Sequence, residues 1–194
     1  MNQHKIIKAG EDGGIWEQIS KDLRAMEFPF SYSASIQEND RTVFLNIEVD
    51  PGGGFESGFQ TTSLTTPIPL QFTTLSSRLQ SNNPELRFVL HNEDFIDKLG
   101  KFFGMEDVIT GYEEFDNKLI VKTNDTVRIQ AAFSDEATRS VFKTLGEFNL
   151  HIAYYDQPEK HASLELNIDR EITNTEELKK VYDAFVRVVD ALEK

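Results

Sequence analysis

Two stretches of the chain alternate between apolar and polar residues, which is the pattern of strands with one buried face. The first covers residues 30–49 and contains Asn39 and Asp40, which tolerate the positive φ angles of a type I′ turn. A two-residue loop at this point pairs Ile36 with Val43, and every further pair on that face is apolar. A shift of one residue would place polar side chains in the core, so the sequence predicts a hairpin with this single register.

The second alternating stretch covers residues 148–168, with a five-residue loop at 156–160. This loop length again places apolar residues opposite one another on one face of a hairpin. The predicted apolar pairs are Phe148 with Ile168, Leu150 with Leu166, Ile152 with Leu164, and Tyr154 with Ala162. On the other face, His151 lies opposite Glu165.

Helical spacing of apolar residues marks four further segments, at 14–26, 92–104, 124–146 and 173–194. The third contains two helices or one broken helix, with Asn124 or Asp125 and then Ser134 as caps. Thr173 and Glu176 fit a capping box at the start of the last helix.

Residues 51–75 and 81–91 lie between the first hairpin and the second helical segment. Residues 51–58 (PGGGFESG) predict a strand connection, because a phosphate cradle needs a following helix and usually a lysine, and neither is present. Residues 59–75 resemble a strand that Pro67 and Pro69 restrict to a sheet edge or interrupt. Residues 81–85 predict a turn and residues 86–91 a short strand. The expected fold is a single α+β domain over residues 1–194, with a mostly antiparallel sheet built from hairpins, helices packed on it, and a flexible tail at residues 1–11.

The composition narrows the classes of function. The 194 residues include 20 Lys and Arg against 33 Asp and Glu, which gives a net charge of −13. Such a balance disfavours nucleic acid as a partner, because phosphate backbones attract clustered lysine and arginine. No apolar run reaches the length of a membrane span, so we expect no membrane insertion. The chain has no cysteine and no apolar signal segment, which predicts a cytoplasmic location. We expect no cofactor.

His151 and Glu165 are the candidate catalytic residues, because a carboxylate opposite a histidine could orient it as a general base. The chain has no G-x-S-x-G nucleophile motif, and the alternative is an exposed cross-strand pair.

The acidic segment 108–125 offers a second candidate site. Glu113 and Asp116 could ligate Mg²⁺ or Ca²⁺ if the chain turns sharply at Gly111. The alternative is a structural corner, in which Phe115 enters the core and Asp116 accepts backbone N–H groups. The residue pattern favours the corner.

The segment 110–125 resembles bacterial proteins that contain a domain of unknown function, with the pattern T-G-D-x-x-F-D-x-x-F-x-V-x-S-x-D. The matching positions are Thr110, Gly111, Phe115, Asp116, Val121, Thr123 and Asp125, with Thr123 in the serine position. Tyr112 and Leu119 depart from the pattern. The order of elements agrees from about residue 59 to the C-terminus. The resemblance implies no activity, and many members of that group carry membrane helices that are not expected here.

The elements of a folded domain are complete, whereas catalytic motifs are missing. We therefore expect a non-enzymatic binding or protein-interaction module with an unknown protein or small-molecule partner, and a homo-oligomer is left open. The alternative is a hydrolase that uses a metal at the acidic segment or the His151–Glu165 pair.

Overall fold

The protein forms one eight-stranded sheet with five helices in the part of the chain that the structure describes. This computed structural model describes residues 4–10, 14–50, 70–80, 85–92, 105, 107–156 and 159–194. The strands are β1 (Lys5–Lys8), β2 (Phe30–Glu38), β3 (Arg41–Asp50), β4 (Leu70–Leu79), β5 (Phe88–Asn92), β6 (Leu119–Thr123), β7 (Phe148–Tyr155) and β8 (His161–Ile168). The helices are α1 (Gly14–Arg24), α2 (Glu113–Asp116), α3 (Thr126–Ala132), α4 (Glu136–Phe142) and α5 (Thr175–Leu192).

The sheet has the order β1-β2-β3-β4-β8-β7-β5-β6. Every neighbouring pair is antiparallel except β1 and β2, which are parallel. The core lies between one face of the sheet and the helices. The predicted single α+β domain with a mostly antiparallel sheet is confirmed.

Both predicted hairpins have the predicted register. In the first, Ile36 pairs with Val43. Asn39 and Asp40 have φ angles of 51° and 61°, as a type I′ turn requires. In the second, all four apolar pairs form as predicted. The match follows from burial of one face, because a register shifted by one residue would bury polar side chains, and from the turn lengths.

A chain of phenylalanine rings joins the short helices to the sheet. Phe133 lies with its ring centroid 5.0 Å from Phe115, 5.7 Å from Phe142 and 6.0 Å from Phe88. Phe142 in turn contacts Phe148 at 5.7 Å. All five side chains are buried, so this cluster fixes α2, α3 and α4 against β5 and β7.

The prediction of a flexible tail at residues 1–11 is wrong for Lys5–Lys8, which form β1. This strand extends the sheet by pairing with β2 and buries Ile7 completely. Lys5 also forms an ion pair with Asp22 of α1 at 2.6 Å. Two isoleucines between two lysines, of which only Ile7 is buried, were too weak a signal for a strand, and pairing with β2 stabilises it.

Two helix caps lie one residue beyond the predicted positions, whereas α3 is capped by Asp125, one of the two candidates that the sequence offered. Asp135 rather than Ser134 caps α4, because the Ser134 hydroxyl donates to the carbonyl of Ala131 instead. Asn174 rather than Thr173 caps α5 and accepts two backbone N–H groups at 3.0 Å. Asparagine is the better cap of the two neighbours.

Several predicted elements fall outside the described residues. They are the loop at 51–58, the strand region up to Pro69, most of the turn at 81–85, and all but the first residue of the helix at 92–104. That first residue, Asn92, is instead the last residue of β5. Strand β4 begins directly after Pro69 and lies inside the sheet. Among the described helices, none has the length and apolar character to cross a membrane.

Candidate functional site

The candidate residues His151 and Glu165 are cross-strand neighbours, as predicted. The Nε2 atom of His151 lies 3.7 Å from Oε2 of Glu165, and its Nδ1 atom is 2.8 Å from Oδ1 of Asn149. The Asn149 oxygen also accepts a hydrogen bond from Asn167 Nδ2 at 3.3 Å. Both ring nitrogens of His151 therefore face polar groups on the outer face of the β7–β8 hairpin.

The second oxygen of the Glu165 carboxylate accepts a hydrogen bond from Tyr155. The Tyr155 hydroxyl donates this hydrogen bond to Oε1 of Glu165, and this bond raises the pKa of Tyr155 to about 12. The Tyr155 ring also stacks on His161, with centroids 5.1 Å apart. No serine or threonine hydroxyl is among these contacts, so the arrangement is a hydrogen-bonded network without an evident nucleophile.

The acidic segment forms a closed corner around Asp116. Its Oδ1 atom accepts hydrogen bonds from the backbone N–H of Thr110 at 3.0 Å and from the Thr110 hydroxyl at 2.7 Å. Its Oδ2 atom accepts from the backbone N–H of Gly111 at 3.0 Å, where φ is +87°. Phe115 is fully buried beneath this turn. Both carboxylate oxygens are thus engaged by donors, which fits the structural corner better than a metal site.

Glu113 lies at the first residue of α2, with an exposed side chain. A search of the described part of the chain finds no group of three or more His, Asp or Glu residues that could hold a metal ion. Within the described residues, Glu113 and Asp116 therefore have no third metal-ligating side chain.

Arg139 is a buried residue that the sequence did not single out. Its guanidinium donates to the carbonyls of Phe133 and Ser134 at 2.7 and 2.9 Å and to the Glu114 carboxylate at 2.9 Å. It also lies 3.9 Å from the centroid of the Tyr112 ring. The hydrogen bond from Arg139 lowers the pKa of Glu114. Only its position three residues before buried Phe142 could have marked it as inward-facing.

The outward positions of β2, β3, β4, β8 and β7 form a surface that we call the charge-poor face. Two rows of side chains cross its centre, as the strand registers fix. The first row is Ser33, Asn46, Thr74, Asn167 and Asn149, and the second is Ser35, Phe44, Ser76, Glu165 and His151. Of these ten positions, with His neutral, only Glu165 is charged, whereas 27% of the whole chain is charged.

One corner of the charge-poor face is partly apolar. Phe44 is 48% exposed, and Ile6 of β1, in line with Ser35 and Phe44, is 58% exposed. The His4 ring nitrogens hydrogen-bond to the hydroxyls of Ser33 and Ser35 at 2.8 and 2.6 Å. His4 also lies near the Phe44 ring, at 6.4 Å between centroids. An exposed aromatic side chain with adjacent apolar and polar neighbours is typical of a contact surface.

A groove of about 700 Å³ lies on the helical side, between α1 and the start of α5. Its lining includes Trp16, Arg24 and Lys179, together with the capping residue Asn174. Acidic and basic side chains are mixed along it, and no residue predicted as a site lines it. The groove therefore offers no focused charge or reactive group.

The described surface thus presents a closed corner, a histidine–carboxylate network and the charge-poor face. In the corner, the Thr110 hydroxyl and the Asp116 carboxylate are held by bonds within the turn, and the contacts described for the network contain no serine or threonine hydroxyl. The charge-poor face is the most extensive of the three and contains the network. No protein-family model, curated protein or solved structure matches the chain.

Proposed function

We propose that the protein is a non-enzymatic interaction module that binds a partner protein through the charge-poor face. The observation that carries this proposal is the near absence of charge in the two central rows of this face, which cross five strands of a protein with a net charge of −13. Charged residues are depleted at the centre of protein interfaces because burying a charge without a partner costs free energy. Exposed Phe44, towards one side of the face, supports the proposal, since aromatic side chains are enriched at protein interfaces.

The distribution of polar groups also supports binding. The central residues are asparagine, serine and threonine, which can exchange hydrogen bonds with water for hydrogen bonds with a partner. The charged residues of the face, other than Glu165, lie towards its ends, for example Glu48 and Arg78. A neutral centre with a charged rim is the usual anatomy of an interface.

The hydrolase alternative has less support. Glu165 shares its carboxylate between His151 and Tyr155, and Asp116 uses both oxygens within its own turn. Turnover of simple ester or phosphoester substrates that disappears in His151→Gln would favour this alternative over the binding module. A bacterial cytoplasmic setting belongs to the proposal, on the sequence resemblance and on the cysteine-free composition.

Site-specific photocrosslinking in the native cells tests the proposal. A photoreactive phenylalanine analogue replaces Phe44 in one variant and Val127 of α3 in the control. Val127 is more exposed, at 77%, so exposure alone would favour crosslinks at the control position. We expect a discrete protein adduct at position 44 and none at position 127. Absence of an adduct at position 44, or the same adducts at both positions, would refute the proposal.

A further inference from the structure

We infer that the protein bound to the charge-poor face is a second copy of this chain, packed sheet to sheet. The inference rests on the proposed function and adds the identity of the partner. Three properties of the face support it, namely its hydrogen-bonding groups, the placement of its charges and its size.

The hydrogen-bonding groups of the face are complementary to themselves. Asparagine carries both a donor and an acceptor, and serine and threonine hydroxyls can donate and accept. Asn46, Thr74 and Ser76 occupy the centre of the face, on β3 and β4. A two-fold interface presents the same patch from both sides, so such groups can pair with their own kind. A strongly basic partner would gain little here, because the acidic residues that would attract it lie elsewhere.

Residues of opposite charge lie near the two ends of the face, Glu48 at one end and Arg78, which forms an ion pair with Glu159 at 3.5 Å, at the other. Glu48 pairs with Phe72 near one end, and Arg78 is six residues further along β4. The two ends are therefore separated by about 20 Å. A two-fold axis running across the strands would place the Glu48 end of one copy over the Arg78 end of the other. This arrangement gives two rim contacts of opposite charge and fixes the orientation of the strands.

The size of the face matches a stable interface. Its five strands contain eight to ten residues each. With usual strand spacing and rise they cover about 24 by 30 Å, or about 700 Å². A standard protein interface buries about 800 Å² on each partner. Sheet-to-sheet packing over this face is therefore sufficient for a dimer, with Phe44 as its exposed aromatic anchor.

Analytical ultracentrifugation of three purified proteins tests the inference at micromolar to submillimolar concentrations. Asn46→Asp/Asn167→Asp adds two negative charges to the face with almost no change in shape. Asn39→Asp/Asn117→Asp adds the same charge at exposed positions outside the face. We expect the wild type and the control to sediment at twice the chain mass of 22.2 kDa. The face variant should dimerise at least about tenfold more weakly, because like charges then oppose one another.

A second set of variants keeps the test valid if the face variant folds poorly. Circular dichroism checks the fold of each protein. The comparison is then repeated without added charge, using Phe44→Ala as the face variant and Val127→Ala as its control. Arg78→Glu should weaken the dimer, and Arg78→Glu/Glu48→Arg should restore it. A double variant weaker than Arg78→Glu would overturn the proposed strand orientation.

The outcomes separate this inference from the proposed function. A wild type that is monomeric at every concentration, or a face variant as dimeric as the control, overturns the second-copy inference. An adduct at position 44 with a different protein would then leave the interaction module in place. An adduct of twice the chain mass at position 44 supports both. Absence of any adduct refutes the proposed function itself.

Discussion

Asp116→Asn should destabilise the corner at residues 110–116. The aspartate Oδ1 atom accepts two hydrogen bonds from Thr110, and Oδ2 accepts one from the Gly111 backbone. An asparagine can keep its oxygen towards Thr110, but its amide group then faces the N–H of Gly111. One hydrogen bond to a charged acceptor is lost, and two donors are placed against each other.

The magnitude follows from these bonds. A hydrogen bond to a charged group contributes about 1.5–3 kcal/mol, and the Gly111 N–H lies near solvent, so we expect a loss of about 2 kcal/mol. For a chain of this length, 1 kcal/mol corresponds to about 2–4 °C in melting temperature. The expected decrease is therefore about 4–8 °C.

Thermal unfolding followed by circular dichroism measures this decrease, with and without millimolar Mg²⁺, Ca²⁺ and Mn²⁺. The control is Glu113→Gln, which removes a charge from an exposed side chain of the same segment and should change stability by at most about 0.5 kcal/mol. We expect Asp116→Asn alone to melt lower and no protein to respond to metal. A melting temperature of Asp116→Asn equal to that of the wild type would refute the role of the carboxylate in the corner. Stabilisation of the wild type but not Asp116→Asn by a metal would identify a cation site instead.

Two further predictions concern residues outside the corner. Arg139→Met should lower the free energy of unfolding by about 2–4 kcal/mol, because the carbonyls of Phe133 and Ser134 lose their hydrogen-bond donor. Denaturant titration measures this loss. A loss below about 1 kcal/mol would show that water replaces the guanidinium as the donor. Glu165→Gln should lower the pKa of Tyr155 from about 12 towards the usual tyrosine value, because the carboxylate that favours the neutral phenol is gone. Ultraviolet difference titration detects this change, and an unchanged titration curve would show that Glu165 does not hold the Tyr155 hydroxyl.

Local sequence patterns predicted the two hairpins because each register depends on residues close in the chain. The pairing of Ile36 with Val43 follows from a two-residue turn and an alternating pattern alone. The same reasoning predicted that His151 faces Glu165. In both hairpins, the turn length and the alternating pattern together determine which side chains face the core.

Contacts between distant segments could not be predicted in this way. Residues 5–8 are a four-residue stretch, KIIK, without an alternating pattern, and they form a strand by pairing with the edge of β2. The charge-poor face likewise combines five strands, and their order depends on how β4 meets β8. Arg139 gains its role from Glu114, which lies 25 residues away, so neither local sequence identifies the contact.

The strand order has a consequence for how the chain folds. Strands β1–β4 lie side by side and so do β5–β8, so each half of the sheet is assembled from one half of the sequence. Within the sheet the two halves meet where β4 pairs with β8, at a seam in which Thr73 pairs with Ile168 and Leu79 with Ala162. Closing this seam joins residues more than eighty positions apart, and such long closures cost more chain entropy than local hairpins. We therefore expect the seam to form after the local hairpins on either side of it.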